Sequence, residues 1–250
     1  MKISAIQTHK ITQQDKNIFE ILEQYIDHVS ENSVVAVTSK IVSICEGSIL
    51  KIESDGQLKD RLIEDNSQYY LPRSNNKYNV SFTVTNNILS ASAGIDESNG
   101  NGFYILWPKN PQESANKIRE YLVGMFGVKN LGVIITDSKT TPLRWGVTGI
   151  TLAHSGFNAL YDYIGKEDLF GRPFVYEKLN MADSLAAVAV LEMGEGSEQT
   201  PLAVIENIKN IEFQNRNPSQ EELDSLRISL EDDLYAPFLK NADWKKGGRE

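Results

Sequence analysis

Hydrophobic residues recur along the chain with two periods, one typical of strands and one typical of helices. The segment Ile3 to Gln7 alternates weakly and predicts a strand. A helix is predicted next, because apolar residues return every three or four positions on one face: Ile18, Ile21, Leu22, Tyr25, Ile26 and Val29. The β-branched run Ser33 to Thr38 is typical of a strand buried on both faces. The polar stretch 54–76 predicts a short helix and a loop.

A hairpin and a sharply bounded helix are predicted in the middle of the chain. Val80 to Thr85 and Ile88 to Ala93 have the composition of paired strands, and the two asparagines between them tolerate the left-handed backbone of a tight turn. Phe103 to Trp107 predicts another strand. A helix is predicted from Asn110, which can cap it, with Pro111 at its first position.

The second half continues the alternation of strands and helices. Leu131 to Thr136 is the clearest buried strand, and it is predicted to end at Asp137. We expect a loop from Ser138 to Trp145 and a helix from Ser155 to Ile164. An alanine-rich helix is predicted from Asn180 to Met193.

The last predicted elements complete a mixed fold. Leu202 to Ile205 predicts a strand, and Ser219 and Glu222 have capping-box spacing before a final helix. The elements together predict an α+β fold with mixed sheets and packed helices. One domain is predicted over residues 1–250, with two closely packed lobes as the alternative.

Charge and cysteine usage exclude several classes of function. The chain of 250 residues has 34 acidic and 25 basic side chains, a formal charge of -9. This balance disfavours nucleic acid and anionic membranes as partners, because such surfaces attract clustered Lys and Arg. The single cysteine, Cys45, excludes an internal disulfide and a thiolate zinc cluster. The amino-terminal stretch lacks the pattern of a secretory signal, so we expect a cytoplasmic protein.

Common catalytic motifs are absent from the sequence. Gly165 and Lys166 are followed by Glu167, which does not fit a Walker loop, and no dinucleotide-binding glycine fingerprint occurs. The three histidines lack helical metal-ligand spacing, and no Gly-x-Ser-x-Gly elbow is present. Hydrolase chemistry is therefore disfavoured.

Acidic and small polar residues at predicted strand ends and loops offer the clearest chemistry. They are Asp96, Asn99, Asp137, Ser138 and Glu195. Oxygen ligands of this kind suit Mg²⁺ or Mn²⁺, which bridge nucleotide phosphates. Lys40, directly after a buried strand, could contact a phosphate.

Each candidate also has a purely structural interpretation. An aspartate after a strand is more often a cap or turn residue than a ligand, which applies to Asp137 and Asp96. Glu195 and Lys40 would ordinarily be solvated. Trp107, like Trp145, is first of all a core or interface anchor.

Several segments, in order, resemble motifs of the coenzyme F420:L-glutamate ligase family. The similarity spans nearly the whole chain. The segments are Thr38-Ser39-Lys40-Ile41-Val42-Ser43 with Glu46-Gly47, Ala93-Gly94-Ile95-Asp96-Glu97-Ser98-Asn99, Val133-Ile134-Ile135-Thr136-Asp137-Ser138, Pro142-Leu143-Arg144-Trp145-Gly146, Asp168-Leu169-Phe170-Gly171-Arg172, Met193-Gly194-Glu195 and Glu231-Asp232-Asp233-Leu234-Tyr235.

The resemblance implies a γ-glutamyl ligase-like fold and a metal-dependent ligase. Such an enzyme would use GTP, or ATP instead, to activate an acceptor carboxylate as an acyl phosphate, which the amino group of L-glutamate then attacks. By resemblance the divalent metal, Mg²⁺ or Mn²⁺, would be held by Asp96, Asp137, Ser138 and Glu195. The nucleotide would contact Thr8, His9, Lys10, Ile11, Thr38, Ser39, Lys40, Ser43 and Asn99. The resemblance also implies a homodimer with sites near the subunit interface.

Departures from the family pattern bear on the acceptor. Many relatives have a second lysine where this chain has Ile44, and many have glutamine at the position of Glu195. The run Ser138-Lys139-Thr140-Thr141 stands where many relatives have a Thr-x-Gly-Arg pattern. Lys139-Thr140-Thr141 together with Asn99-Gly100-Asn101-Gly102 resembles a bacterial branch described as folate-metabolism γ-glutamate ligases. The acceptor is therefore expected to be an F420 precursor, a folate or another small carboxylate. The alternative function is a nucleotide- or pterin-binding protein that retains the fold without ligation.

Overall fold

The computed structural model describes residues 1–53 and 57–249. Its strands are β1 Lys2–Ile6, β2 Ser33–Thr38, β3 Ile49–Lys51, β4 Tyr69–Leu71, β5 Phe82–Thr85, β6 Ile88–Ala91, β7 Phe103–Ile105, β8 Leu131–Thr140, β9 Val147–Ser155, β10 Leu160–Asp162, β11 Lys178–Asn180, β12 Leu202–Glu206 and β13 Lys245–Lys246. Its α-helices are α1 Ile18–Tyr25, α2 Ser39–Glu46, α3 Gln57–Asn66, α4 Pro111–Phe126, α5 Met181–Met193, α6 Gln220–Ser225 and α7 Ala236–Leu239. The fold is α+β with mixed sheets and packed helices, as the sequence predicts.

A five-stranded sheet in the order β1-β12-β2-β8-β9 forms the centre of the fold. Strands β2 and β8 run parallel, whereas the other neighbours in this sheet are antiparallel. Helices cover both faces, which explains why β2 is apolar at successive positions. Val35 and Val37 pack towards α1, α2 and α4, while Val34 and Ala36 pack towards α5.

Smaller sheets extend from this centre. Strands β13-β4-β5-β6 form a four-stranded sheet, and β3-β7 and β10-β11 form two-stranded sheets. A separate small core lies beside α3 and includes Leu62, Ile63 and Tyr104. The single-domain organisation stays a prediction. No helix within residues 1–53 and 57–249 combines the length and apolar character needed to cross a bilayer.

Local signals at turns and helix ends are confirmed. Asn86 and Asn87 have φ values of 52° and 60° and join β5 to β6. The side chains of Asn110 and Asn180 cap α4 and α5. Ser219 and its partner three residues later form the predicted capping box of α6.

Three predictions from local pattern are wrong. Strand β8 does not end at Asp137 but continues to Thr140, because β9 pairs with it across the predicted loop. The predicted helix from Ser155 to Ile164 is instead the end of β9 followed by β10, which pairs with β11. The predicted first helix ends at Tyr25, although the apolar residues beyond it are buried.

Other elements escaped prediction. Helix α2 follows β2 without a break, and only its apolar residues Ile41 and Val42 suggest a core face. The predicted polar segment 54–76 contains α3 but also strand β4. Residues 54–56 of that segment lie outside the described residues.

Candidate active site

A cavity of about 820 Å³ opens at one edge of the central sheet. Parallel strands β2 and β8 meet there in register, with Thr38 opposite Thr136. The residues that follow these two positions therefore lie side by side at the carboxyl end of the parallel strands, where α/β proteins bind ligands. The lining residues are Thr8, His9, Lys10, Ile11, Thr12, Thr38, Ser39, Lys40, Ile41, Ile44, Asp96, Ser98, Asn99, Asn101, Thr136, Asp137, Ser138, Val190, and the run from Met193 to Pro201.

Asp96 and Lys40 form an ion pair inside this cavity. The Lys40 Nζ lies 2.7 Å from Asp96 Oδ2, and it also donates to the Ser98 carbonyl oxygen at 3.0 Å. The Ser98 amide and hydroxyl donate to the two Asp96 oxygens at 2.7 Å and 2.8 Å. Burial opposes ionisation of Asp96, but the hydrogen bond and charge of Lys40 together with the two Ser98 donors hold the pKa of this carboxyl below its usual range.

Asp137 is held by donors on both of its oxygens. The Ser138 amide donates to Oδ1 at 2.8 Å, and the Trp107 indole Nε1 donates to Oδ2. Burial raises the pKa of Asp137 to about 6, and the nearby Asp96 charge adds to the increase despite these donors. A cation close to Asp137 would favour the ionised form of this carboxyl.

Glu195 enters the cavity from the loop between α5 and β12. Partial burial raises its pKa, against the opposing effects of a hydrogen bond from Ser138 and the Lys40 charge. The loop is fixed by a hydrogen bond from Asn99 Nδ2 to the Gly196 carbonyl oxygen at 2.9 Å. Asp137 and Glu195 thus each interact with the charges of Asp96 and Lys40.

The segment from Thr8 to Thr12 forms another wall of the cavity. Its Thr8 amide donates to the Gln199 carbonyl oxygen at 2.8 Å. The Tyr25 hydroxyl oxygen accepts from the His9 amide at 3.0 Å and lies 2.6 Å from His9 Nδ1. His9 Nε2 lies 2.9 Å from Asp15 Oδ1, and these two contacts orient the ring.

The amino terminus of α2 also faces the cavity. It has no side-chain cap, and Ser39 and Lys40 are its first two residues. Free amide groups and the helix dipole at such an end favour an anion. Ile44 of the same helix also lines the cavity.

The structure brings together all of the predicted site residues except Ser43. That side chain is fully buried within α2 and lies outside the cavity lining. Sequence reasoning missed Ser98, which orients Asp96, and Trp107, which contacts Asp137. A serine two residues after an aspartate is a turn signal, but nothing local connects Trp107 with a residue 30 positions later.

Sequence comparison with known proteins assigns the chain to a family. The family model described as F420-0:gamma-glutamyl ligase matches residues 5–207, most of the chain. The chain belongs to the F420-0:gamma-glutamyl ligase family. The coenzyme F420:L-glutamate ligase of Methanocaldococcus jannaschii is 32% identical over 220 residues, 80% of this chain and 84% of the relative. The enzyme of that name from Methanopyrus kandleri is 29% identical over 223 residues, 84% of this chain and 88% of the relative.

The part of the chain that matches the F420-0:gamma-glutamyl ligase family contains every cavity-lining residue. Within the described ranges, no three acidic, histidine or cysteine side chains already form a metal-binding group. Asp96, Asp137, Ser138 and Glu195 nevertheless present only oxygen donors, which are the ligands that Mg²⁺ and Mn²⁺ prefer. The donor chemistry fits a divalent metal, and Lys40 forms an ion pair with one of these carboxylates, Asp96.

Proposed function

We propose that this protein is a γ-glutamyl ligase that joins L-glutamate to the carboxylate of a small-molecule acceptor, using GTP and a divalent metal. The observation that carries the proposal is the convergence of three acidic side chains, one lysine and an uncapped helix end in a single cavity. An acidic protein can bind an anionic nucleotide in such a site because the metal neutralises the phosphates.

Four residues would hold the metal: Asp96, Asp137, Ser138 and Glu195. When bound, Mg²⁺ or Mn²⁺ would neutralise charge on the phosphates during phosphoryl transfer. The raised pKa values of Asp137 and Glu195, both caused first by burial, support a place for a cation beside them.

Lys40 is expected to exchange partners as the substrates bind. Its Nζ is paired with Asp96 at 2.7 Å. A cation at Asp96 would repel the ammonium group, which is then free to contact a phosphate near the amino terminus of α2. Thr38, Ser39 and the wall from Thr8 to Ile11 would surround the rest of the nucleotide.

The proposed reaction has two balanced steps. An acceptor carboxylate oxygen attacks the γ-phosphorus of GTP, the bond to the β-phosphate oxygen breaks, and GDP leaves. The amino group of L-glutamate then attacks the carbonyl carbon of the acyl phosphate, loses a proton and displaces inorganic phosphate. The cavity residues bind and orient the reactants and neutralise charge, which is the main requirement of phosphoryl transfer.

The acceptor is proposed to be an F420 precursor, with a folate as the competing candidate. The relatives named above support the first candidate through their names. The segment Lys139 to Thr141, part of which belongs to β8 just beyond the cavity, is the difference that favours the second. A panel containing both acceptor types decides between them.

We also propose that the enzyme is a homodimer. Two hairpins carry large apolar side chains that are almost fully exposed in the single chain, with Trp145 at 90%, Leu169 at 98% and Phe170 at 89%. Large apolar side chains left exposed on a folded chain are common at protein–protein interfaces. Sedimentation of the purified protein tests this assignment.

Thermal unfolding with GTP and Mn²⁺ tests the proposed site. The two ligands together are expected to raise the melting temperature of the native protein, because they bind the folded state. Asp137→Asn is expected to abolish that rise, whereas Asp65→Asn, the same change on the exposed surface of α3, should keep it. The absence of a rise in the native protein would contradict the proposal. Incorporation of labelled glutamate then separates a ligase from a protein that only binds nucleotide.

A further inference from the structure

Trp107 lies behind the residues that line the cavity, and its indole nitrogen contacts Asp137 of the proposed metal site. The residue follows β7 and is only 7% exposed. Its indole Nε1 donates to Oδ2 of Asp137, while Oδ1 accepts from the Ser138 amide. The orientation of the Asp137 carboxylate is therefore set by one backbone donor and one side-chain donor.

The segment that carries Trp107 also holds the backbone of Asp96. Asp96 and Ile105 exchange two backbone hydrogen bonds, of 2.9 Å and 2.8 Å. Trp107 lies only two residues beyond Ile105. One short stretch of chain thus fixes the backbone of the first acidic residue and the side chain of the second.

Gly94 provides the space for this arrangement. A Cβ atom built on Gly94 would lie 2.1 Å from two atoms of the Trp107 indole ring. The ring therefore packs directly against the backbone two residues before Asp96. Any side chain at Gly94 would displace the ring from Asp137, and the φ of 72° at this residue would add backbone strain.

We propose that Trp107 is a positioning residue that sets the relative placement of Asp96 and Asp137 for metal binding. The inference rests on the proposed function, since it assumes a divalent cation between these carboxylates. A donor that holds a ligating carboxylate restricts its rotation and fixes which lone pairs are free for the metal. The loss of such partners typically weakens metal affinity by about 10- to 100-fold.

Titration with Mn²⁺, followed by the electron paramagnetic resonance signal of the free ion, tests the proposal without measuring turnover. Trp107→Phe retains an aromatic ring but removes the N–H donor, and we expect the dissociation constant for Mn²⁺ to rise by about tenfold or more. Saturation at high Mn²⁺ should restore the wild-type stoichiometry. Gly94→Ala keeps the donor but displaces the ring, and it should weaken binding in the same direction.

Trp244→Phe is the matched control. It removes an indole hydrogen bond of 2.7 Å, to the Leu239 carbonyl oxygen, in the carboxyl-terminal segment. This variant should bind Mn²⁺ within about twofold of the wild type, because it does not touch the acidic residues. Thermal unfolding of each variant without metal measures the purely structural part of the change.

The possible outcomes separate this inference from the proposed function. Unchanged Mn²⁺ affinity in Trp107→Phe, with normal binding by the wild type, overturns the inference and leaves the proposed function standing. An equal loss in Trp107→Phe and Trp244→Phe overturns it too, because the effect would then be general destabilisation. No Mn²⁺ binding by the wild type overturns both.

Discussion

Replacing His154 with leucine is expected to remove part of the protein's sensitivity to acid. His154 lies on β9 opposite Ile134 of β8, the strand that carries Asp137, and is 2% exposed. Burial lowers its pKa from the ordinary 6.5 to about 4, although the charge of Glu222 opposes the shift. The folded protein therefore keeps this imidazole neutral in mild acid.

The sign and the size of the effect follow from proton linkage. Below about pH 6.5 the unfolded chain takes up a proton at this histidine, whereas the folded chain does not until about pH 4. The stability contribution is complete above pH 6.5 and is lost as the pH falls. At about 1.4 kcal/mol for each pH unit, a change from pH 6.5 to pH 5 removes about 2 kcal/mol.

Urea unfolding between pH 7.5 and pH 4.5 measures this contribution. Over this pH range the difference in unfolding free energy between His154→Leu and the wild type should shift in favour of the variant by about 2.5 kcal/mol. At pH 7 the variant should be close to the wild type, because His154 Nε2 has no hydrogen-bond partner among the described residues. Parallel curves for His154→Leu and the wild type would refute the reasoning.

Two further predictions concern the cavity and its supporting sheet. Lys40→Met is expected to weaken GTP binding by about 10- to 100-fold, because a charged hydrogen bond is lost. The same change releases Asp96 and should strengthen Mn²⁺ binding in the absence of nucleotide. Calorimetric titrations measure both affinities, and an equal loss of GTP and Mn²⁺ affinity would contradict the partner exchange. Gly149→Ala should lower the unfolding free energy by about 1–3 kcal/mol, because its Cβ would lie 2.3 Å from the Ala186 carbonyl oxygen of α5. The control Gly124→Ala, in open space on α4, should instead raise stability by about 0.5–1 kcal/mol, and a fall there would point to an error in the packing.

Elements defined by short-range signals could be predicted from the sequence. Caps such as Asn110 and Asn180 act within three residues, so their helices begin where the pattern predicts. The continuous apolar run in β2 could be recognised because the strand is buried on both faces, whichever strands lie beside it. The position of Lys40 and Asp137 at one sheet edge then follows from the parallel pairing of β2 and β8.

Features that depend on distant partners could not be predicted. Asp137 lies inside β8 because Ile150 of β9 pairs with it, and a local pattern cannot show that partner. The segment after Ser155 forms β10 because β11, which follows a long hairpin loop, pairs with it. Trp107 has the composition of a core anchor, and it is one, yet the hydrogen bond from its indole to Asp137 gives it a second role at the site.

Transfer of oxygen from the acceptor to phosphate tests the proposed ligation most directly. The protein would be supplied with GTP, Mn²⁺, L-glutamate and an F420 precursor or folate whose carboxylate is labelled with ¹⁸O. An acyl phosphate requires that one labelled oxygen leaves with each inorganic phosphate as the amide forms. Mass spectrometry should therefore find one ¹⁸O atom per phosphate together with a glutamylated acceptor. Amide formation with unlabelled phosphate would contradict the acyl phosphate, and GTP and Mn²⁺ binding without any glutamylated acceptor would contradict the ligase.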